Sequence, residues 1–267
     1  DGQLVEVHGV GGKLEPSPGT KARQPDTEPV DVDGERGRVV GWSGADGKYV
    51  VETFDGLILG VPEGNLQEFE PPDPEQGGFD LVWPSSPSLH DAFALDLAAA
   101  LGRKGYCLIQ MFNDQRKQQS ALEAARQMPE WSLPIKELEV PYMGYDNATK
   151  YASLPADDVR EYPSHPLLQL DRVFTNVGIL LEPLAPSALG FTIDGRMNGY
   201  VRVPLASAEE GEKLRPLPLA EEAVLNQEKV HGHVNFMDHR KLSLMYFVAN
   251  DGGSLELYPA PAAAAPG

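Results

Sequence analysis

The sequence predicts an α+β chain in two parts, a small barrel of short strands followed by a domain of helices and then sheet. Three observations carry this. Asp-Gly pairs at Asp33-Gly34, Asp46-Gly47 and Asp55-Gly56 separate alternating apolar runs, the pattern of hairpin turns. A proline cluster, Pro71-Pro72-Asp73-Pro74 through Pro84 and Pro87, then interrupts the pattern. Beyond it, apolar residues recur every three or four positions instead of every two.

Each element follows from local signals. Leu4-Val5-Glu6-Val7 alternates and predicts a first strand. Gly37 to Trp42, Lys48 to Phe54 and Leu57 to Val61 follow between turns, and the last closes into Pro62-Glu63-Gly64-Asn65-Leu66. Residues 11–31 are polar and turn-rich, an insertion in this pattern. The proline-rich residues 70–87 predict an extended linker. Ser88, followed by Asp91, predicts a capped helix carrying Phe93, Leu97 and Leu101 and ended by Gly102 and Gly105. Tyr106 to Phe112 has the length and apolar content of a strand. A second helix runs from Asp114 to about Gln127, a short one over 154–162, and a longer one from Leu167 to Leu181. Strands are expected at Phe191–Ile193, Tyr200–Val203, Leu242–Val248 and Leu255–Leu257. Residues 259–267 form a Pro/Ala tail expected to be disordered.

The first part, residues 1–69 with its insertion, resembles the SH3-like (KOW-type) barrel modules over residues 3–68. Gly37-Arg38-Val39-Val40-Gly41-Trp42, Gly47-Lys48-Tyr49-Val50-Val51, Asp55-Gly56 and Asn65-Leu66 carry the likeness. Such modules recur in algal and other eukaryotic proteins, often as protein-binding adaptors. Trp42, Tyr49 and Phe54 are therefore candidate partner-binding residues, either barrel core or an exposed groove that receives a peptide.

Chemistry is concentrated in His231-Gly232-His233-Val234-Asn235-Phe236-Met237-Asp238-His239-Arg240. Histidines alternating on a strand share one face, which suits a metal. A solvated loop with its imidazoles bonded to backbone is the plainer reading, and a zinc site of His231, His233 and His239 is a third. With Tyr246-Phe247-Val248 and Gly252-Gly253-Ser254-Leu255-Glu256-Leu257 behind it, the segment resembles the iron(II)- and 2-oxoglutarate-dependent oxygenases of the prolyl-hydroxylase type, over about residues 88–258. That resemblance implies a helix-flanked double-stranded β-helix (jelly roll), whole or incomplete. It implies metal ligands among His233, Asp238, Asn235 and His231. The family's His-x-Asp reads His233-Val234-Asn235 here, an amide in place of a carboxylate. No His or Arg follows Arg240 to supply the family's distal ligand and co-substrate clamp. Either the sequence stops partway through the fold, or the fold persists without the chemistry.

Charge narrows the partners. Lys plus Arg is 22 and Asp plus Glu is 40, a formal charge of −18. Such a chain releases few phosphate counterions and is not expected to bind nucleic acid. No uncharged stretch exceeds about a dozen residues, against roughly 20 for a membrane-spanning helix. Cys107 is the single cysteine, so no intrachain disulfide forms. The chain opens Asp1-Gly2 without a charged-then-apolar leader; a removed targeting peptide and a longer parent sequence both account for this. The expected function is a non-catalytic accessory or scaffold subunit that binds protein partners in a larger assembly and needs no cofactor. The alternative is a hydroxylase using iron(II) and 2-oxoglutarate, with its remaining site residues outside this chain. Compartment is not legible, although the resemblance to algal modules admits a plastid.

Overall fold

The structure, a computed structural model, describes residues 2–10, 32–113, 115–133, 149–154, 165–214 and 227–250. The 11–31 insertion, residues 155–162 of the expected short helix, Gly252-Gly253, the Leu255–Leu257 strand and the tail lie outside the described residues. The chain divides into two compact units. One holds Asp1–Gln119, Ile179–Thr192 and Asp251–Gly267; the other holds Ser120–Gly178 and Ile193–Asn250.

In the first unit, β1 (Leu4–Val7), β2 (Arg36–Ser43), β3 (Lys48–Thr53), β4 (Ile58–Val61) and β5 (Leu66–Glu68) form one antiparallel sheet. Their order is β4-β3-β2-β1-β5. Period-two alternation decides its inner face: Val5 and Val7, Val51, and Leu59 and Val61 pack with Val32 as a buried cluster. Each such side chain contributes roughly 1.5–3 kcal/mol before ordering entropy is subtracted. The Asp-Gly turns form as expected, with Gly34, Gly47 and Gly56 at positive φ. Gly37 serves a different need: a Cβ there would fall onto Glu52 O and the Thr53 Cα of β3.

Residues 70–87 hold a 3-10 turn at Pro74–Gln76, capped by the Asp73 side chain, and strand β6 (Leu81–Val82). The apolar run 106–112 yields only β7 (Ile109–Gln110), parallel to β6, because a two-residue partner limits the ladder. Asp80 closes that pair. Its carboxylate accepts from the Leu108 N–H at 2.9 Å and from Lys104, whose pKa this hydrogen bond raises. Helix α1 (His90–Lys104) buries Phe93, Ala94, Leu97, Ala98 and Ala100, and Gly105 at φ +76° ends it. Its expected cap is corrected: Ser88 bonds Ser86 at 2.7 Å, and the helix enters instead through a 3-10 turn, Pro87–Leu89.

Helix α2 (Gln115–Arg126) and helix α3 (Pro166–Leu181) span the unit boundaries. Within the first unit, the short α4 (Ala185–Ala188) follows α3. In the second unit, β8 (Thr149–Ser153) pairs antiparallel with β9 (Tyr200–Pro204). Its core joins Ala121 and Ala125 to Leu154, Leu167 and Leu168, with Val201 and Val248 packed on them. Arg196 ties the 190–199 segment down, donating to Asp171 and to Thr175 Oγ1. Helix α5 (Ala208–Leu214) is anchored by Glu210, which accepts from Lys150 and, at 2.7 Å, from the Ala206 N–H. Those hydrogen bonds lower the Glu210 pKa, the Lys150 bond most.

Three strand expectations are corrected. Residues 227–239 form helix α6 (Gln227–His239), not a strand. Gln227-Glu228-Lys229 are good helix formers, with Glu228 in the first turn and His239 in the last, which suits the helix dipole. Phe191–Ile193 takes no ladder. Leu242–Val248 has no strand assignment either, although its exposure alternates as a strand's would: Leu242, Leu244, Tyr246 and Val248 are half-buried, Met245 and Phe247 exposed. The α+β class holds. Among the described residues β4 and β5 are not hydrogen-bonded to each other, so the sheet does not close into a barrel. No described helix is long and apolar enough to cross a membrane.

Candidate partner-binding surface

Trp42 and Tyr49 stand directly opposite in the β2–β3 ladder. Their rings meet edge to face, centroids 4.7 Å apart and planes at 65°. Such pairs contribute about 0.5–1.5 kcal/mol beyond the area they bury. The two residues nevertheless differ in role. Tyr49 packs on the sheet's apolar core, whereas Trp42 leaves 53% of its surface in solvent. A bulge between Val39 and Gly41 causes this. An extra residue reverses the alternation, so Trp42 takes a side that the preceding pattern assigns differently.

Phe54 is not part of this surface. Its ring packs against Phe69, Phe79 and Phe112, at centroid distances of 6.2, 5.6 and 5.4 Å. Sequence reading grouped three aromatics; the structure brings two together and commits the third to packing.

Beside that cluster lies a residue that pattern reading passed over. Arg38 is buried, and its Nε and Nη2 donate to Glu52 Oε2 at 2.9 and 2.6 Å. Nη1 donates to the Trp83 carbonyl, and the guanidinium lies 3.8 Å from the centre of the Phe112 ring. One cation thus ties the sheet to residues 83 and 112 by charge, hydrogen bond and ring contact. The signal was available: Arg38 sits between Gly37 and Val39 in a run otherwise fit for burial.

The histidine segment changes geometry with its secondary structure. Positions two apart on a helix are turned by about 200°, so His231 and His233 do not share the face a strand would give them. Helical spacing instead aligns His231, Asn235 and Asp238, all exposed; the His233 side chain lies outside the described set. His239 Nδ1 donates to the Asn235 carbonyl at 2.7 Å. Among the described residues no three of His, Cys, Asp and Glu come together as a metal site.

Two titratable groups stand apart from their usual range. Burial, then the Asp80 charge, pushes the Cys107 thiol up to about 12, which suits a packed thiol better than a nucleophile. Burial, then the Asp55 charge, raises the Glu35 carboxyl. A surface cleft between α2 and the start of α3 is lined by Ser120, Glu123, Gln127, Met128, His165 and Pro166. His165 Nδ1 is buried beside it without a hydrogen-bond partner.

No family model, curated protein or solved structure matches this chain.

Proposed function

We propose that this chain is a non-catalytic accessory or scaffold subunit that docks protein partners through the Trp42–Tyr49 surface. The observation that carries this is Trp42 itself. A large apolar ring held rigidly by a cross-strand partner and left half in solvent is the residue type that anchors protein interfaces. Residues 3–68 are read as an SH3-like module. The return of β5 to the side of β1, and the 3-10 turn Glu63–Asn65 between β4 and β5, support that reading. Residues 88–258 are read as an oxygenase-like jelly-roll domain that serves as framework. The helix–strand–helix order of α1, β7 and α2 supports it, as the resemblance places helices around the Gly105–Ile109 run.

The test is chemical cross-linking of the chain in its native extract, followed by purification. A cross-linked complex of fixed stoichiometry, lost in Trp42→Ala, is the expected result. Recovery of free monomer alone contradicts the proposal. So does iron-dependent succinate production from 2-oxoglutarate that His233→Ala abolishes.

A further inference from the structure

The open edge of β2 beside Trp42 specifies how a partner would bind. Strand β1 pairs with β2 only as far as Val39, whose N–H donates to Gln3 O at 2.9 Å and whose carbonyl accepts from Gly2 N–H at 2.7 Å. On the opposite side, Phe54 N–H donates to Arg36 O, so Arg36 and Arg38 direct their backbone groups to β3. The bulge then shifts the phase. Gly41 opposite Val50 and Ser43 opposite Lys48 become the pairs that bond β3. The N–H and C=O of Val40 and Trp42 therefore point away from β3, to the side where β1 has ended. Among the described residues no strand occupies that side. An edge of this kind, next to an exposed ring, is a template for another strand.

We propose that an extended, lysine- or arginine-containing segment of a partner protein adds as a strand beside β2 at Val40–Ser43, with one side chain laid on the Trp42 ring. The chain's formal charge of −18 selects a basic segment over an acidic one. At the edge itself, Asp46 is held by the Ser43 hydroxyl at 3.0 Å, and Lys48 faces Ser43 across the ladder. A cation over the indole face adds ring attraction to the backbone bonds. This deepens the reading of the Trp42 surface as a partner site and rests on it.

The experiment uses the full chain with three probes: a short peptide of alternating Lys and Val, the same peptide N-methylated at alternate residues, and its Glu-Val counterpart. Calorimetry at low ionic strength gives affinity, and hydrogen exchange gives protection of single amides. In the free chain, the Val40 and Trp42 amides should exchange at least about tenfold faster than those of Gly41 and Ser43. The Lys-Val peptide should slow them about tenfold. N-methylation and Trp42→Ala should each weaken binding about tenfold, and the Glu-Val peptide should not bind.

Equal binding by the N-methylated peptide, with Trp42→Ala still weakening it, overturns strand addition and leaves the surface reading standing. If Trp42→Ala changes nothing, or the Lys-Val peptide does not bind, both fall. Val40 and Trp42 amides already protected in the free monomer place the chain's own residues on the edge. Protection that grows with protein concentration places a second copy there. Either result overturns the proposal.

Discussion

Replacing Arg38 by Met tests how the sheet is tied to residues 83 and 112. Met keeps most of the side-chain volume and removes three interactions at once: the paired bonds to Glu52, the bond to the Trp83 carbonyl, and the cation on Phe112. Removing one partner of a buried pair costs about 3–5 kcal/mol, because the other charge stays behind. The Glu52 side chain keeps 24% of its surface in solvent, which relieves part of that cost. The Trp83 carbonyl, if orphaned, adds about 1–3 kcal/mol, though the two losses overlap. The expected total is about 3–4 kcal/mol. For a unit of little over a hundred residues this lowers Tm by roughly 10–15 °C. Urea unfolding followed by circular dichroism measures it, with an unchanged m-value as control. The double variant Arg38→Met, Glu52→Leu should recover at least about 1 kcal/mol, since it no longer strands a carboxylate. A loss below about 1 kcal/mol for Arg38→Met, or no recovery in the double variant, refutes the argument.

Three further outcomes follow from named contacts. Glu35 has a raised pKa, so its contribution to stability is full below its unfolded value and declines as pH rises through the folded one. Glu35→Gln should therefore raise Tm at pH 7 and leave it nearly unchanged at pH 3, as read by calorimetry at both. Gly37→Ala should destabilise the sheet by about 1–3 kcal/mol, because the new methyl meets β3 backbone that cannot swing aside; urea unfolding reports it. Cys107, at about 12, is mostly thiol at pH 8.5. Its modification by an aromatic disulfide reagent should run roughly a thousandfold slower than that of free cysteine, with the full rate restored in urea.

How far the sequence disclosed this molecule depends on whether local signals or distant partners decide each element. The Asp-Gly turns and the four strands they separate were legible because positive φ and period-two alternation are local constraints. Helices α1 and α3 were legible from their apolar spacing. The histidine segment was misread because alternating imidazoles imitate a strand, whereas the Gln-Glu-Lys start and the absence of proline favour a helix. Leu242–Val248 keeps strand-like alternation without strand assignment, since a ladder needs a partner that no local pattern specifies. At the candidate surface, aromatic content pointed to Trp42 and Tyr49. It did not separate Phe54 from them, because the bulge at Val39–Gly41 sets which way each ring faces. Arg38 escaped notice for a related reason: its partners lie 14 and 45 residues away.

Hydroxyl-radical footprinting of the free chain and of its assembled complex tests the partner surface most directly. Mass spectrometry would follow oxidation at Trp42, Tyr49, Trp83 and Trp131. Oxidation of Trp42 is expected to fall several-fold on assembly while Trp83 and Trp131 keep their free-state values. Equal oxidation of Trp42 in both states would contradict the account.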